Sequence, residues 1–109
     1  MAEPDRPTFV AAVLDAYRKT PGTLGHVRAS DRSLARQLFD AEVPLEIVTA
    51  ALALAATRRI SRPNDAEPLE PVRSLHYFKP VIAELLKHHP DPALFSYIED
   101  RLQRLVAAQ

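Results

Sequence analysis

The stretch Leu45-Glu46-Ile47-Val48-Thr49-Ala50-Ala51-Leu52-Ala53-Leu54-Ala55-Ala56-Thr57-Arg58-Arg59 constrains this chain most. Before the closing arginines its polar residues are Glu46, Thr49 and Thr57, and with Ala53 they trace one narrow line on a helix. A helix that is apolar nearly all round must be enclosed by other elements, so the stretch predicts a buried central helix. Its many alanines would let neighbouring helices approach closely. The apolar run begins at Ala50 and is stopped by Thr57, Arg58 and Arg59, well short of the roughly 20 residues that cross a bilayer. Neither a membrane span nor a signal peptide is expected, and the expected location is cytoplasmic.

Around that helix the periodicity supplies partners. Pro7 and Thr8 open a first helix with Phe9, Val10, Val13, Leu14 and Tyr17 on its inner face and an Asp15–Lys19 pair outside. Pro21 and Gly22 stop it near Thr20, and Pro21 to Arg28 reads as an ordered loop. Ser30 is the expected cap of a second helix, with Asp31 in its first turn, Leu34, Ala35, Leu38 and Phe39 inward and Arg32 and Arg36 outward. Pro44 is expected as the first residue of the central helix. Ser61 to Val72, rich in proline and charge, is the longest irregular connection. Ser74 caps a fourth helix with Leu75, Phe78, Val81, Ile82, Leu85 and Leu86 inside. Pro80 in its second turn predicts a kink or a short separate turn before Lys79. Asp91 and Pro92 start a fifth helix with Leu94, Ile98, Leu102, Leu105 and Val106 inside and Asp100–Arg104 as an exposed pair.

No run alternates as a strand does. With 109 residues the chain fits one domain. The expected architecture is all-α, a compact orthogonal bundle of about five helices around the buried central one. Residues 1–7 are expected as a flexible arm and 8–109 as the single domain.

The sequence has no cysteine, which excludes disulfides, thiolate nucleophiles and Cys-ligated zinc. His88, His89 and Asp91 are adjacent, but neighbouring helical residues diverge by about 100°, so helix-end capping is preferred to a metal site. His26 and His76 have no Ser or carboxylate partner by spacing. Gly22-Thr23-Leu24-Gly25 follows a helix and lacks the lysine of a phosphate loop. A helix-turn-helix reading of the second and third helices fails on the third, which has too few polar side chains to read bases; a structural helical hairpin is preferred. No enzyme, cofactor or metal is expected.

Arginine remains. Fourteen basic residues balance 14 acidic ones, so any binding to phosphate must come from a local patch. One cluster is Arg28, Arg32 and Arg36; another is Arg58, Arg59, Arg62 and Arg73, extended by His76 and Lys79, with Tyr77 placed to stack on a base. The planar guanidinium suits phosphate and carboxylate, and these arginines, far apart in sequence, are expected to converge into a single cationic zone. Asp5, Asp15, Asp40, Glu42, Glu46, Glu99 and Asp100 are expected to make an opposite, acidic face. The competing account pairs these arginines with Asp65, Glu67 and Glu70 on a merely solvated face.

Two stretches, Asp31-Arg32-Ser33-Leu34-Ala35-Arg36 through Val43-Pro44-Leu45-Glu46-Ile47-Val48 and Arg73-Ser74-Leu75-His76-Tyr77-Phe78-Lys79-Pro80-Val81-Ile82-Ala83-Glu84, resemble small bacterial helical proteins of mobile-element and replication neighbourhoods. The second is also distantly similar to the Tyr-rich closing helix of the DnaD-type replication domain. That resemblance implies DNA binding and assembly of a replication complex. The expected function is a non-catalytic accessory protein holding DNA phosphates without reading sequence, in replication, transposition or recombination. The alternative is a protein-interaction adaptor or antiactivator using an apolar strip or the Pro-rich loop, with pairing of the last helix to a copy of itself giving a homodimer.

Overall fold

A computed structural model describes residues 4–63, 65–88 and 91–108. Five α-helices follow in order: α1 (Arg6–Lys19), α2 (Ala29–Asp40), α3 (Leu45–Ile60), α4 (Lys79–His88) and α5 (Pro92–Ala107), with a 3-10 turn, Leu75–Phe78, leading into α4. Among the described residues the only extended pairing is an isolated bridge between Thr23 and Val72. The protein is an all-α bundle.

The helix ends follow from short-range chemistry. Asp5 accepts the Thr8 N–H at 3.0 Å, so α1 opens at Arg6, one residue ahead of the expected Pro7. The Asp15–Lys19 pair forms at 2.9 Å and Arg18 joins it. Helix α2 starts at Ala29 with Arg28 as its cap, which corrects Ser30. The reason is Asp31: from the third helical position its carboxylate reaches back to the Arg28 N–H at 2.9 Å, so the side chain that organises this terminus lies downstream of the cap. Glu42, at φ 61°, turns the chain tightly. Pro44 caps α3 instead of opening it, because its ψ of 140° is extended while its carbonyl takes the N–H groups of Ile47 and Val48.

Pro80 acts as its chemistry requires. It has no N–H to give the His76 carbonyl, and that carbonyl is taken instead by the Lys79 N–H, a bond that closes a 3-10 turn. Ser74 caps the turn by accepting the His76 N–H at 3.1 Å. Asp91 caps α5 through the Ala93 N–H at 2.8 Å.

Helix α3 is the hub, with Ile47, Val48, Ala50, Ala51, Leu52, Ala53, Ala55, Ala56 and Thr57 all buried. Its one buried hydroxyl, on Thr57, donates back to the Ala53 carbonyl at 2.8 Å, so no polar group is left open in the core there. Helices α1, α4 and α5 and the 3-10 turn pack on it, and α2 packs on α1 and on the turn. Tyr17, Phe78, Leu52 and Leu75 are the largest fully buried side chains; each such apolar body contributes about 1.5–3 kcal/mol against exposure.

Two expectations about packing change. Helices α2 and α3 share a tight turn but scarcely pack along each other, so they are no hairpin: α1 takes the inner face of both. In α5 only Ile98 is buried; Leu102 and Leu105 are half-buried, and Leu94 and Val106 are exposed. It docks on α3 alone and leaves a groove beside α4. Asp100 and Arg104 form no ion pair within 4 Å.

Candidate nucleic-acid interface

The last turn of α3 and the segment beyond it carry Arg58, Arg59 and Arg62, and the 3-10 turn carries Tyr77 toward them from the opposite side. With Ala55, Leu69 and Val81 these four residues line one open cleft of about 310 Å³. The partners of the three guanidiniums decide how much charge the cleft keeps. Arg58 grips Glu84 through two hydrogen bonds, 3.2 and 2.6 Å, and this guanidinium holds the Glu84 carboxyl below its ordinary range. Arg59 donates to the Glu70 carbonyl at 2.7 Å and to the Tyr77 hydroxyl at 3.2 Å. Arg62 donates to the Glu67 carbonyl at 2.9 Å.

Carbonyls and hydroxyls are neutral, so among the described residues only Arg58 of the three is offset by a carboxylate. The C-terminal end of α3 sets about half a negative charge against the remaining two guanidiniums, and the cleft stays cationic. The competing account, pairing with the Asp65, Glu67 and Glu70 carboxylates, does not hold among the described residues: Glu67 and Glu70 contribute backbone oxygens, and the carboxylate comes from Glu84 on α4.

Arg59 is also a structural clasp. Its guanidinium lies 5.5 Å from the Tyr77 ring centre. It packs so close to Gly22 that a Cβ there would sit 3.3 Å from its Nε, at a backbone φ of +91°. One side chain thus ties the Gly22 loop, the long connection and the 3-10 turn together. Tyr77 meets Phe78 edge-on at 5.2 Å and is 47% exposed, so one ring face is taken by Arg59 while much of the side chain still faces solvent.

The other expected residues lie elsewhere. Arg28, Arg32 and Arg36 are exposed on α2 and make no ion pair among the described residues. Arg32 and Arg36 join Arg6, Val10 and Leu14 around a second groove, of about 370 Å³, between α1 and α2. Arg73 and Lys79 are exposed and make no ion pair among the described residues, and the His76 ring lies 3.1 Å from the Ser74 hydroxyl. No residue lines both grooves. The arginines therefore do not converge into one cationic zone: Arg58, Arg59 and Arg62 line one groove, Arg32 and Arg36 another, and Arg28 and Arg73 line neither, because α2 packs on α1 and diverges from α3 at their shared turn. Three members of the expected acidic face are engaged locally: Asp15 pairs with Arg18 and Lys19, Asp40 with Arg6 at 2.9 Å, and Asp5 caps α1.

One residue set aside as a first-turn charge proves central. Asp31 is completely buried: one carboxylate oxygen takes the Arg28 N–H, and the other takes the Leu75 N–H at 2.9 Å and the Ser74 hydroxyl at 3.3 Å. It joins the start of α2 to the start of the 3-10 turn, across 44 residues of sequence. Nothing local announces such a partner. The Tyr17 hydroxyl is buried nearby without a hydrogen-bond partner among the described residues, and burial first, then the Asp31 charge, pushes its pKa up.

In the Gly22–Gly25 loop the Val72 N–H donates to the Gly22 carbonyl and the Leu24 N–H to the Val72 carbonyl, so part of the loop's backbone bonding is used internally. Among the described residues no three His, Asp or Glu side chains gather as metal ligands; His89 lies outside them. No family model, curated protein or solved structure matches this chain, so its function has to be argued from these grooves alone.

Proposed function

We propose that this is a non-catalytic DNA-binding accessory protein that holds backbone phosphates in the cleft of Arg58, Arg59 and Arg62, with the α2 arginines as a second contact, in replication, transposition or recombination. The observation that carries this reading is the cleft's composition: three guanidiniums and a half-exposed tyrosine line one concave surface that no carboxylate lines, although Arg58 is held by Glu84 beside it. Arginine forks suit phosphate oxygens, and the free part of the Tyr77 ring suits an unstacked base. Base-edge readout is not part of the reading, since α3 presents an apolar surface.

Binding of this kind is salt-dependent through counterion release. Two phosphates neutralised by Arg59 and Arg62, the guanidiniums without a carboxylate partner, give a log–log slope of about −1.8, or about a 12-fold loss of affinity for a fourfold rise in salt. Fluorescence anisotropy with a labelled oligonucleotide at two salt concentrations measures it. Arg62→Ala removes a side chain whose hydrogen bond is to one carbonyl, so it should leave the fold intact, weaken binding and reduce the slope by about one. Affinity independent of salt, or unchanged in Arg62→Ala and in Arg58→Ala, overturns the proposal. A stable dimer with no salt-sensitive binding supports a protein-interaction adaptor instead.

A further inference from the structure

Beyond the arginine cleft, the structure has an apolar groove of about 430 Å³ where α4 and α5 diverge over α3. Leu54 and Thr57 of α3, Leu85 of α4, and Leu94, Tyr97 and Ile98 of α5 line it, and Arg58, Glu84, His88 and Arg101 line it as polar groups. Leu94 and Tyr97 are 39% and 52% exposed there, so two large apolar side chains of α5 lie open on one groove.

Size limits the occupant. The volume falls within the range of small-molecule sites, whereas a stable protein interface covers about 800 Å² per partner. The exposed parts of Leu94 and Tyr97 together supply on the order of 200 Å². Charge limits it further. Glu84 is held by both nitrogens of Arg58 and stays ionised, so those two charges offset each other, and Arg101, exposed and without an ion pair among the described residues, leaves one net positive charge at the groove.

We propose that this groove binds a small monocarboxylate with an unbranched apolar body of the order of ten carbons, its chain against Leu54, Leu85, Leu94, Tyr97 and Ile98 and its carboxylate on Arg101. The groove shares Arg58 with the cationic cleft, but Arg101 lines only the groove, so a change at Arg101 tests this inference separately from the nucleic-acid reading.

The test is an amide-resolved NMR titration of the full chain with decanoate and, separately, with decan-1-ol, both below aggregation. Decanoate is expected to shift amides of α4 and α5 around Leu85, Tyr97 and Ile98 and to bind at least tenfold more tightly than the alcohol. Arg101→Gln should remove that tenfold preference and leave the alcohol's affinity unchanged; a melting curve by circular dichroism confirms that the variant folds. Leu94→Trp, which fills the exposed side of the groove, should weaken both ligands. Equal affinity for the two ligands, shifts located away from α4 and α5, or a preference that survives Arg101→Gln overturns the proposal. So does light scattering that shows a dimer covering these same amides.

Discussion

Asp31 is the residue on which the most hydrogen bonding converges. A completely buried carboxylate is tolerable only when its oxygens are occupied, and here backbone N–H groups from two distant elements occupy them. Asp31→Ala strands both backbone donors and frees the Ser74 hydroxyl, and is expected to cost about 3 kcal/mol in urea unfolding, a large share of the stability of a domain this size. Asp31→Asn keeps one accepting oxygen and should cost less; a loss below about 1 kcal/mol in the alanine variant would show that these bonds do not hold the junction. Tyr17 is the opposite case. Its ring is fully buried but its hydroxyl has no partner among the described residues, so Tyr17→Phe removes an uncompensated polar atom and is expected to leave stability unchanged or raise it by up to about 1 kcal/mol. The same residue sets an alkaline limit. Because its folded pKa lies above the unfolded value near 10, the folded state retains the proton longer; stability is intact below that pH and falls as pH rises through the folded pKa. Unfolding followed across that range should show the decline in the wild type and a flatter profile in Tyr17→Phe.

At the scale of elements, α3 is built for close approach. Ala51 and Ala55 are 0% and 3% exposed, leaving no room beside their methyl groups. Ala51→Leu is therefore expected to destabilise by about 1–3 kcal/mol by overpacking, even though it improves apolar content; thermal melts would reveal an unchanged midpoint if the contact were loose. Pro80 and Ser74 define the other distinctive element, the 3-10 turn, and the sequence announced it, since a missing N–H at one position and a hydroxyl at another act within a few residues. Gly22 belongs to the same scale. Its positive φ and the Arg59 side chain against it make Gly22→Ala doubly unfavourable, by about 1–2 kcal/mol in denaturant unfolding. The helix boundaries that shifted, at Arg28 and Pro44, did so by a residue or two because a side chain reached back or a ψ angle stayed extended.

The whole molecule is a little wider than compact packing requires. Its radius of gyration is 13.9 Å against about 13 Å for a chain of this length, in keeping with a fifth helix that buries a single residue fully and leaves a groove beside α4. Hydrogen exchange should accordingly find α5 amides opening well before those of α3; equal protection would mean that α5 is part of the cooperative core. By itself the sequence determined the helical class, the central place of α3, the approximate ends of each helix and the outward direction of the α2 arginines. Those properties follow from periodicity and capping, which act over three or four residues. Only the tertiary structure decided that Asp31 is a buried junction, that Glu84 neutralises Arg58, that Arg59 is bound up with Tyr77 and Gly22, and that the arginines do not converge into one zone. Each depends on which groups meet across 18 to 44 positions of chain, where no local pattern specifies the partner and packing around α3 selects it.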